Sequence, residues 1–201
     1  MASENPTRQR LISAAARLLQ RRGMAATGLH EVLETAGAPR GSLYHHFPGG
    51  KNELAAAAIR HSGERISSVM EAALASAPGT PAAIRQFAAF YDSALSASGY
   101  RDGCPVATTA LEAAALGAAE VEEACAAAFT SWESLVAARL VADGHPQNEA
   151  ENLAAFVVAS LEGALLLARV RHSARPLYLT ADYLEPLLRH PRLRNPRQGS
   201  G

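Results

Sequence analysis

Residues 27–54 read TGLHEVLETAGAPRGSLYHHFPGGKNEL and contain two short helical segments separated by a glycine. Over 29–36 the apolar residues recur at i, i+3, i+4 and i+7, which is typical of a helix with one buried face. Gly37 ends this helix, and a second helix begins with Pro39 and extends to about residue 46. Two helices joined by such a turn predict a helix-turn-helix, a unit whose second helix reads DNA.

The second helix is predicted to have a buried side and an exposed side. Leu43 and Phe47 lie four residues apart and are assigned to the core. The other side then presents polar groups that can donate to phosphates or base edges, and Arg40 can contact guanine through two hydrogen bonds. Lys51 begins the next helix, where its ammonium group and free backbone N–H groups can hold a phosphate. The predicted DNA contacts are Thr27, Arg40, Gly41, Ser42, Tyr44, His45, His46 and Lys51.

A further helix is predicted before this motif. Asn5 suits an N-cap, Pro6 suits the first helical position, and Gly23 follows the last turn. Thr27 is predicted to cap the next helix. Apolar residues form one face of the first helix at Leu11, Ile12, Ala15, Leu18 and Leu19. Residues 1–50 are therefore predicted to form a three-helix DNA-binding domain.

The rest of the chain is predicted to be helical, so the fold class is all-α with about nine helices. Alanine, leucine, glutamate and arginine are frequent, whereas β-branched and aromatic residues are scarce. A long helix is expected from Lys51 towards residue 77, and a second helical domain over 51–190. Pro186 is expected to kink or divide the last helix, and the tail 191–201 to be disordered. Further helices are predicted at about 81–98, 105–116, 118–142, 147–172 and 177–190.

The net charge of zero hides an uneven distribution. Residues 1–60 hold eight Lys and Arg against four Asp and Glu, a net charge of +4, and the remainder carries −4. The basic excess lies where a polyanion would bind. No uncharged apolar stretch of membrane-spanning length and no signal peptide are expected. Cys104 and Cys125 are the only cysteines, which favours a cytoplasmic protein with free thiols.

The motifs of common enzyme and metal sites are absent. A phosphate-binding Walker loop needs a glycine where the chain has His45, and Lys51 is followed by Asn52 rather than Ser or Thr. No His-Glu-x-x-His, Gly-x-Ser-x-Gly or paired Cys-x-x-Cys occurs. Adjacent histidines on a helix, such as His45 and His46, point about 100° apart and cannot chelate one ion together. The sequence therefore predicts no enzyme, no metal and no cofactor.

Aromatic residues outside the motif concentrate on two helices. Each is either an ordinary core residue or part of the wall of an apolar ligand pocket, and the sequence leaves both interpretations open. Cys104 begins a helix, which could lower the pKa of its thiol, and it is either a small buried apolar residue, the favoured interpretation, or a sensor. The residues predicted to line a pocket are Phe87, Phe90, Tyr91, Cys104, Phe129, Trp132 and Leu161.

Small residues form a stripe on the predicted helix 147–172, which would let two copies pack closely, although a monomer's core helix shows the same pattern. A homodimer is favoured because one short recognition helix reads too few bases to be selective. The predicted interface residues are Phe156, Ser160, Ala164 and Ala168.

The stretch 27–54 closely resembles the N-terminal domain of TetR-family transcriptional regulators. Their segment typically runs Gly-x-x-x-x-x-Leu-Tyr-x-His-Phe, followed by a lysine and a leucine. The double glycine before Lys51 and the Gly-Cys-Pro-Val run at 103–106 are similar to the LmrA/YxaF-type subgroup. The matching residues are Gly37, Leu43, Tyr44, His46, Phe47, Lys51 and Leu54.

The resemblance implies a homodimer in which helices 1–3 bind double-stranded DNA, the C-terminal helices bind a small molecule, and the last two long helices form the dimer. The predicted function is a repressor that leaves a pseudo-palindromic operator when an aromatic or drug-like effector binds, with helix 4 linking both domains. The alternative is an activator or architectural DNA-binding protein without an effector.

Overall fold

The computed structural model describes residues 5–189, and this part of the chain is all-α, as predicted. It forms nine helices and no strand between those residues. The predicted disordered tail at 191–201 lies outside the described residues. The helices are α1 (Pro6–Arg22), α2 (Leu29–Ala36), α3 (Arg40–His46), α4 (Lys51–Ser76), α5 (Thr80–Ala97), α6 (Pro105–Ala113), α7 (Ala119–Ala142), α8 (Gln147–Arg171) and α9 (Arg175–Arg189).

Packing divides the chain into two compact units. The first comprises the residues up to Ser68 together with Ala94–Ser131, and the second comprises Val69–Ser93 together with the residues from Trp132 onward. Helix α6 therefore belongs to the same unit as the three N-terminal helices, and within it α6 packs on α1. The domain boundary predicted at residue 50 separates a DNA-binding segment from the rest of the chain and was not a prediction about packing. It therefore stays a prediction.

Helix α1 lies at the centre of the first unit, where it contacts α2, α3 and α6. Leu11 and Leu19 on α1 are 0% and 1% exposed. Leu43 and Phe47 are 1% and 0% exposed, which confirms their assignment to the core. Burying each of these side chains stabilises the fold by about 1.5–3 kcal/mol. This burial fixes which side of α3 faces outward.

The ends of the first helices follow the sequence signals, with one exception. The Asn5 side chain accepts a hydrogen bond from the Thr7 N–H at 3.0 Å, and Gly37 ends α2 in the left-handed region at φ 58°. Thr27 does not cap α2, however, since Gly28 is the N-cap residue. The Thr27 hydroxyl instead donates to the carbonyl oxygen of Gly23 at 2.7 Å, because the α1–α2 turn brings that carbonyl within reach.

In the second unit, one ion pair holds the turn between α4 and α5. The Arg139 guanidinium donates to the carbonyl oxygens of Leu74 and Ala77 at the end of α4. Its Nε also donates to Asp143 Oδ1 at 2.8 Å. Asp143 Oδ2 accepts from both the backbone N–H and the hydroxyl of Thr80 at 2.7 Å. The pair thus satisfies backbone groups at two helix ends, which have no partner within their own helices.

Pro186 does not divide the last helix, because α9 runs unbroken from Arg175 to Arg189, and the alternative that it kinks the helix stays a prediction. Proline removes one backbone hydrogen bond of the helix. Leu184 and Leu188 on either side of it are each 2% exposed, and their burial holds the last turn in place. The buried His145 adds to this, since its Nε2 lies 3.2 Å from the carbonyl oxygen of Leu188.

Helix α8 is unusually apolar. It has 25 residues, and its most apolar 18-residue stretch has a mean hydropathy of 1.9 with 44% of that stretch buried. By length and composition it meets the requirements of a membrane-spanning helix, although it contains Glu162 and Arg169. A core helix of a protein in water meets the same requirements, so composition alone does not decide what covers its outer side.

Candidate DNA interface

The outward side of α3 carries four of the predicted DNA contacts. Arg40, Gly41, Tyr44 and His45 are all exposed, and 63% of Tyr44 is accessible. A Cβ atom at Gly41 would meet no other atom within 4 Å. Nothing within the chain therefore requires a glycine there, and the missing side chain leaves room for an external molecule to approach the helix.

Helix α2 positions the guanidinium group of Arg40. Arg40 Nη2 lies 3.3 Å from His30 Nε2, and His30 Nδ1 lies 3.5 Å from Glu34 Oε1 one turn further along α2. This contact spans the turn of the motif and restrains a long side chain before any DNA arrives. His30 was not among the predicted DNA contacts. The only sequence signal for it is its spacing of four residues from Glu34 on the polar side of α2.

Two of the predicted contacts use their hydroxyl groups inside the chain. Thr27 is 4% exposed and bonded to Gly23 as described, so the structure corrects its assignment as a DNA contact. Ser42 is half-buried, and its Oγ donates to the carbonyl oxygen of Pro39 at 2.6 Å. Ser42 therefore stabilises the first turn of α3, and its contact with DNA stays a prediction.

The start of α4 combines a cation with backbone donors. Lys51 is its first residue and is half-buried, and Gly50 before it has a left-handed φ of 69°.

The His45 and His46 rings meet edge to face with centroids 4.8 Å apart. Within residues 5–189, no group of three or more His, Cys, Asp or Glu is arranged to hold a metal ion.

Arg8 on α1 joins this surface, although it was not among the predicted DNA contacts. Its guanidinium carbon lies 5.2 Å from the centre of the Phe47 ring. A cation over an aromatic face is attracted by the ring electrons, so Phe47 both fills the core and holds Arg8 in place. Nothing in the spacing of the sequence pairs these residues, because they lie on separate helices.

Comparisons with known proteins agree with this geometry. Residues 11–58 match the family model "Bacterial regulatory proteins, tetR family". Residues 81–183 match "Transcriptional regulator LmrA/YxaF-like, C-terminal domain". The chain belongs to the TetR family. The resemblance found in residues 27–54 is thus confirmed, and the family is one of helix-turn-helix transcriptional regulators rather than enzymes.

Full-length relatives support the assignment to the TetR family. The HTH-type transcriptional regulator LmrA of Bacillus subtilis (strain 168) is 32% identical over 191 residues, covering 93% of this chain and 99% of LmrA. The uncharacterized regulator YxaF of the same organism is 31% identical over 189 residues, covering 94% and 98%. The crystal structure of regulatory protein TetR from Rhodobacter sphaeroides has a TM-score of 0.77 at 23% identity, covering 90% and 98%. The last likeness shows the shared fold.

The predicted ligand contacts of this TetR-family regulator are distributed over both units. In the second unit, Phe87 and Tyr91 are each 7% exposed and their ring centroids are 5.0 Å apart, while Phe90 is 40% exposed. Trp132 and Leu161 are buried in that unit at 2% and 6%. Cys104 is buried and Phe129 half-buried in the first unit. Whether these residues contact a ligand stays a prediction.

The predicted dimer stripe on α8 needs a correction. Ala164 and Ala168 are 4% and 0% exposed within a single chain, so they pack inside their own protomer. Ser160 is half-buried, whereas Phe156 is 53% exposed. Small and large residues therefore occur on both sides of α8, since Ala159 and Gly163 are exposed, whereas Leu161 and Leu165 are buried. The outward apolar residues of α8 and α9 are Phe156, Leu166, Leu167, Val170, Leu179 and Tyr183.

Proposed function

We propose that this TetR-family regulator is a cytoplasmic, ligand-responsive repressor that binds a pseudo-palindromic operator as a homodimer. The proposal rests above all on α3, whose outward side presents Arg40, Tyr44 and His45 on a helix that its inner side anchors firmly in the core. A small-molecule effector then favours a dimer whose two recognition helices no longer match the operator.

The groups around α3 support two kinds of DNA contact. Arg40 suits base reading, because its planar fork can donate two hydrogen bonds to guanine. Arg8 and Lys51 suit phosphate contacts, which position the protein without reading sequence. The contact with His30 already restrains the Arg40 side chain, so less conformational entropy is lost when Arg40 binds DNA. The Phe47 ring restrains the Arg8 side chain in the same way.

The dimer is supported by the outer side of α8 and α9, here called the apolar face and consisting of the six outward residues given above. Val170 and Tyr183 are 71% and 75% exposed, and a concentration of exposed large apolar side chains on two helices is typical of a protein interface. A second copy would cover the same residues on both protomers through a two-fold axis. The two recognition helices would then read two half-sites of one operator.

An aromatic or drug-like effector is proposed from the cluster of Phe87, Phe90 and Tyr91 in the second unit. The three rings lie within 6.2 Å of one another, centre to centre; Tyr91 meets both phenylalanines edge to face, and the two phenylalanine rings are stacked. Both arrangements favour aromatic partners. To reduce DNA binding tenfold, an effector must prefer the released state by about 1.4 kcal/mol. Its identity can be sought by thermal shift of the full chain, followed by loss of DNA binding.

Replacing Arg40 by alanine should weaken operator binding by about 10- to 100-fold and relax the preference at one base position of each half-site. The probe is a duplex that the wild-type protein enriches from a random-sequence pool, with affinity measured at fixed salt. Arg85→Ala is the charge-matched control on α5 and should bind like wild type. The base-reading role of Arg40 is wrong if Arg40→Ala enriches the same sequences with unchanged affinity. An absence of any enriched sequence with the wild-type protein contradicts the proposed function itself.

Arg8→Ala should weaken binding to all duplexes to a similar extent. If Arg8 neutralises one phosphate, the slope of log Kobs against log salt should fall by about 0.9 per protomer. The measurement is a salt titration with the enriched duplex and with a scrambled one. An unchanged slope for both would show that Arg8 serves only to pack against Phe47.

A further inference from the structure

His30 on α2 lies between an acidic and a basic side chain. Its Nε2 is 3.3 Å from Arg40 Nη2 on α3, and its Nδ1 is 3.5 Å from Glu34 Oε1, one turn further along α2. One ring nitrogen therefore faces a guanidinium group and the other faces a carboxylate. These three residues are called the Glu34–His30–Arg40 triad.

The chemistry of the two partners fixes the position of the proton on the His30 ring. A guanidinium group has five N–H donors and no acceptor, so a hydrogen bond from Arg40 requires a lone pair on Nε2. The single proton of a neutral imidazole is then on Nδ1. This nitrogen is the one beside Glu34, whose carboxylate attracts an N–H group. The geometry thus corresponds to a neutral ring that accepts a hydrogen bond from Arg40.

Protonation of His30 would break the contact with Arg40. A charged imidazole carries an N–H group on both nitrogens, so two donors and two positive charges would meet at 3.3 Å. Solvent reaches the ring, since 60% of the His30 side chain is exposed. Histidine is the side chain that changes its charge between about pH 5 and 8. The contact therefore belongs to the neutral ring and is lost once the solution is acid enough to protonate it.

The charges around the ring act on this proton from two helices. Within residues 5–189, the charged groups in contact with the ring are Glu34 from α2 itself and Arg40 from α3. A positive ring is attracted by the first and repelled by the second. From α1, the other helix packed on α2, Arg22 is directed to Glu31, with 2.8 Å between Nη1 and Oε1. The position of Arg40 is therefore the part of this surroundings that a proton on His30 disturbs.

An Arg40 side chain held by His30 is suited to selective base reading. The contact uses one of its N–H donors, and the remaining ones can reach the two acceptors on a guanine edge. Holding the side chain in advance lowers the entropy lost on binding, and this benefits only duplexes with the base that Arg40 recognises. Phosphate contacts elsewhere benefit every duplex alike. Loss of the contact should therefore reduce selectivity more than general affinity for DNA.

We propose that neutral His30 is a specificity-determining positioning residue for Arg40, and that protonation of His30 relaxes the sequence preference of this regulator. The inference rests on the proposed function, because it needs a base contact by Arg40. An effector that separates the two recognition helices weakens operator binding as a whole. A proton on His30 acts instead at the reading helix and changes which duplexes are preferred.

The test measures selectivity against pH in the full-length protein. Selectivity is the ratio of two affinities, one for the duplex enriched by the wild-type protein and one for that duplex with a single base pair changed. The changed pair is the one at which Arg40→Ala loses its preference. Measurements at about pH 8 and about pH 5.5, at constant ionic strength, span the range in which histidine takes up a proton. Circular dichroism verifies the fold at both pH values.

His30→Gln is the decisive variant. Its amide oxygen is the same number of bonds from Cα as Nε2 is, so it can accept from Arg40, but it does not take up a proton. His61→Gln, on α4, is the matched control that removes a histidine outside the triad. Protons taken up by other histidines are common to all these proteins, so the difference between wild type and His30→Gln isolates His30.

The wild-type selectivity should be about tenfold or more at pH 8 and should fall by about threefold or more at pH 5.5. His61→Gln should behave in the same way. His30→Gln should keep its selectivity at both pH values, whereas His30→Ala should have the lower selectivity at both. Nitrogen NMR of the ring, assigned by the signal missing in His30→Gln, should show the proton on Nδ1 at pH 8.

The proposal is overturned if the wild-type selectivity is the same at both pH values, or if His30→Gln loses selectivity on acidification as the wild type does. A ring proton on Nε2 at pH 8 also overturns it, because that nitrogen could not then accept from Arg40. So does an Arg40→Ala variant with an unaltered base preference. A wild-type protein that selects no duplex at pH 8 contradicts the proposed function itself. The ring spectrum then decides separately whether His30 accepts from Arg40.

Discussion

The double variant Leu166→Glu/Val170→Glu should be a monomer, and its affinity for the enriched duplex should fall by at least about 100-fold. Both side chains belong to the apolar face and lie one turn apart on α8, with 56% and 71% of their surfaces exposed. Glutamates there cost the single chain little, because they face water. In a dimer, both glutamates would be buried against the apolar face of the second copy, where their charges have no partner.

The loss of DNA affinity follows from geometry rather than from damage to α3. A monomer reads one half-site, whereas a dimer binds the second half-site at the high effective concentration set by the first. Sedimentation at several protein concentrations measures the dimer, and a titration with the full operator and a single half-site separates the two effects. The monomer should bind the half-site as wild type does, at matched protomer concentration.

Leu111→Glu is the matched control, since Leu111 on α6 is 79% exposed and lies outside the apolar face. It should leave dimerisation intact. If the double variant remains a dimer, the apolar face is covered by something other than a second copy, and the homodimer has to be sought elsewhere. Binding of the wild-type protein to lipid vesicles would point to a membrane surface instead.

Arg139→Ala should lower the free energy of unfolding by about 3–5 kcal/mol. The side chains of Arg139 and Asp143 are 20% and 21% exposed, so the pair is largely withdrawn from water. The substitution leaves Asp143 without its cation and removes the donors from the carbonyl oxygens of Leu74 and Ala77. Urea denaturation at one fixed protein concentration measures the loss, because the stability of a dimer depends on concentration.

Arg60→Ala removes an ion pair of comparable geometry but higher exposure, 51% and 46% for its two side chains. Such pairs contribute about 1 kcal/mol or less, so the control should unfold close to wild type. Equal effects of the two substitutions would show that the contacts of Arg139 with the α4–α5 turn are not what stabilises the second unit.

Asp143 adds a pH dependence to the same prediction. Burial by itself would raise the pKa of Asp143, but hydrogen bonds from Arg139 and Thr80 outweigh it and hold the pKa below its ordinary value of 3.8. The unfolded chain then takes up this proton first as the solution is acidified. The contribution of Asp143 is therefore complete above about pH 4 and is lost as the pH falls through the lowered pKa. The stability difference between wild type and Asp143→Asn should shrink over that range.

The sequence predicted α1–α3 closely, because their signals are local. Asn5, Gly23 and Gly37 mark helix ends through the conformations that each residue type prefers. Leu43 and Phe47 identify the buried side of α3 through spacing alone. Thr27 shows the limit of such signals: a threonine before a helix suits an N-cap, but the fold of the turn gave its hydroxyl a nearer acceptor at Gly23.

The stripe on α8 was misread for a related reason. Periodicity shows that a helix has two different sides, but it does not show which side faces its own core when both are apolar. Small residues suggested close packing between two chains, yet Ala164 and Ala168 pack within one protomer, and larger residues such as Leu166 and Val170 face outward. Pro186 was likewise judged by its local cost, whereas burial of Leu184 and Leu188 keeps α9 intact.

The sequence by itself determined the all-α fold, the helix-turn-helix of residues 27–54 and the outward side of α3, since all three depend on residues close together in the chain. Only the tertiary structure decided that Arg8 rests on Phe47 and that His30 meets Arg40. Such contacts join different helices, and they form only once helix packing has fixed the distances between side chains.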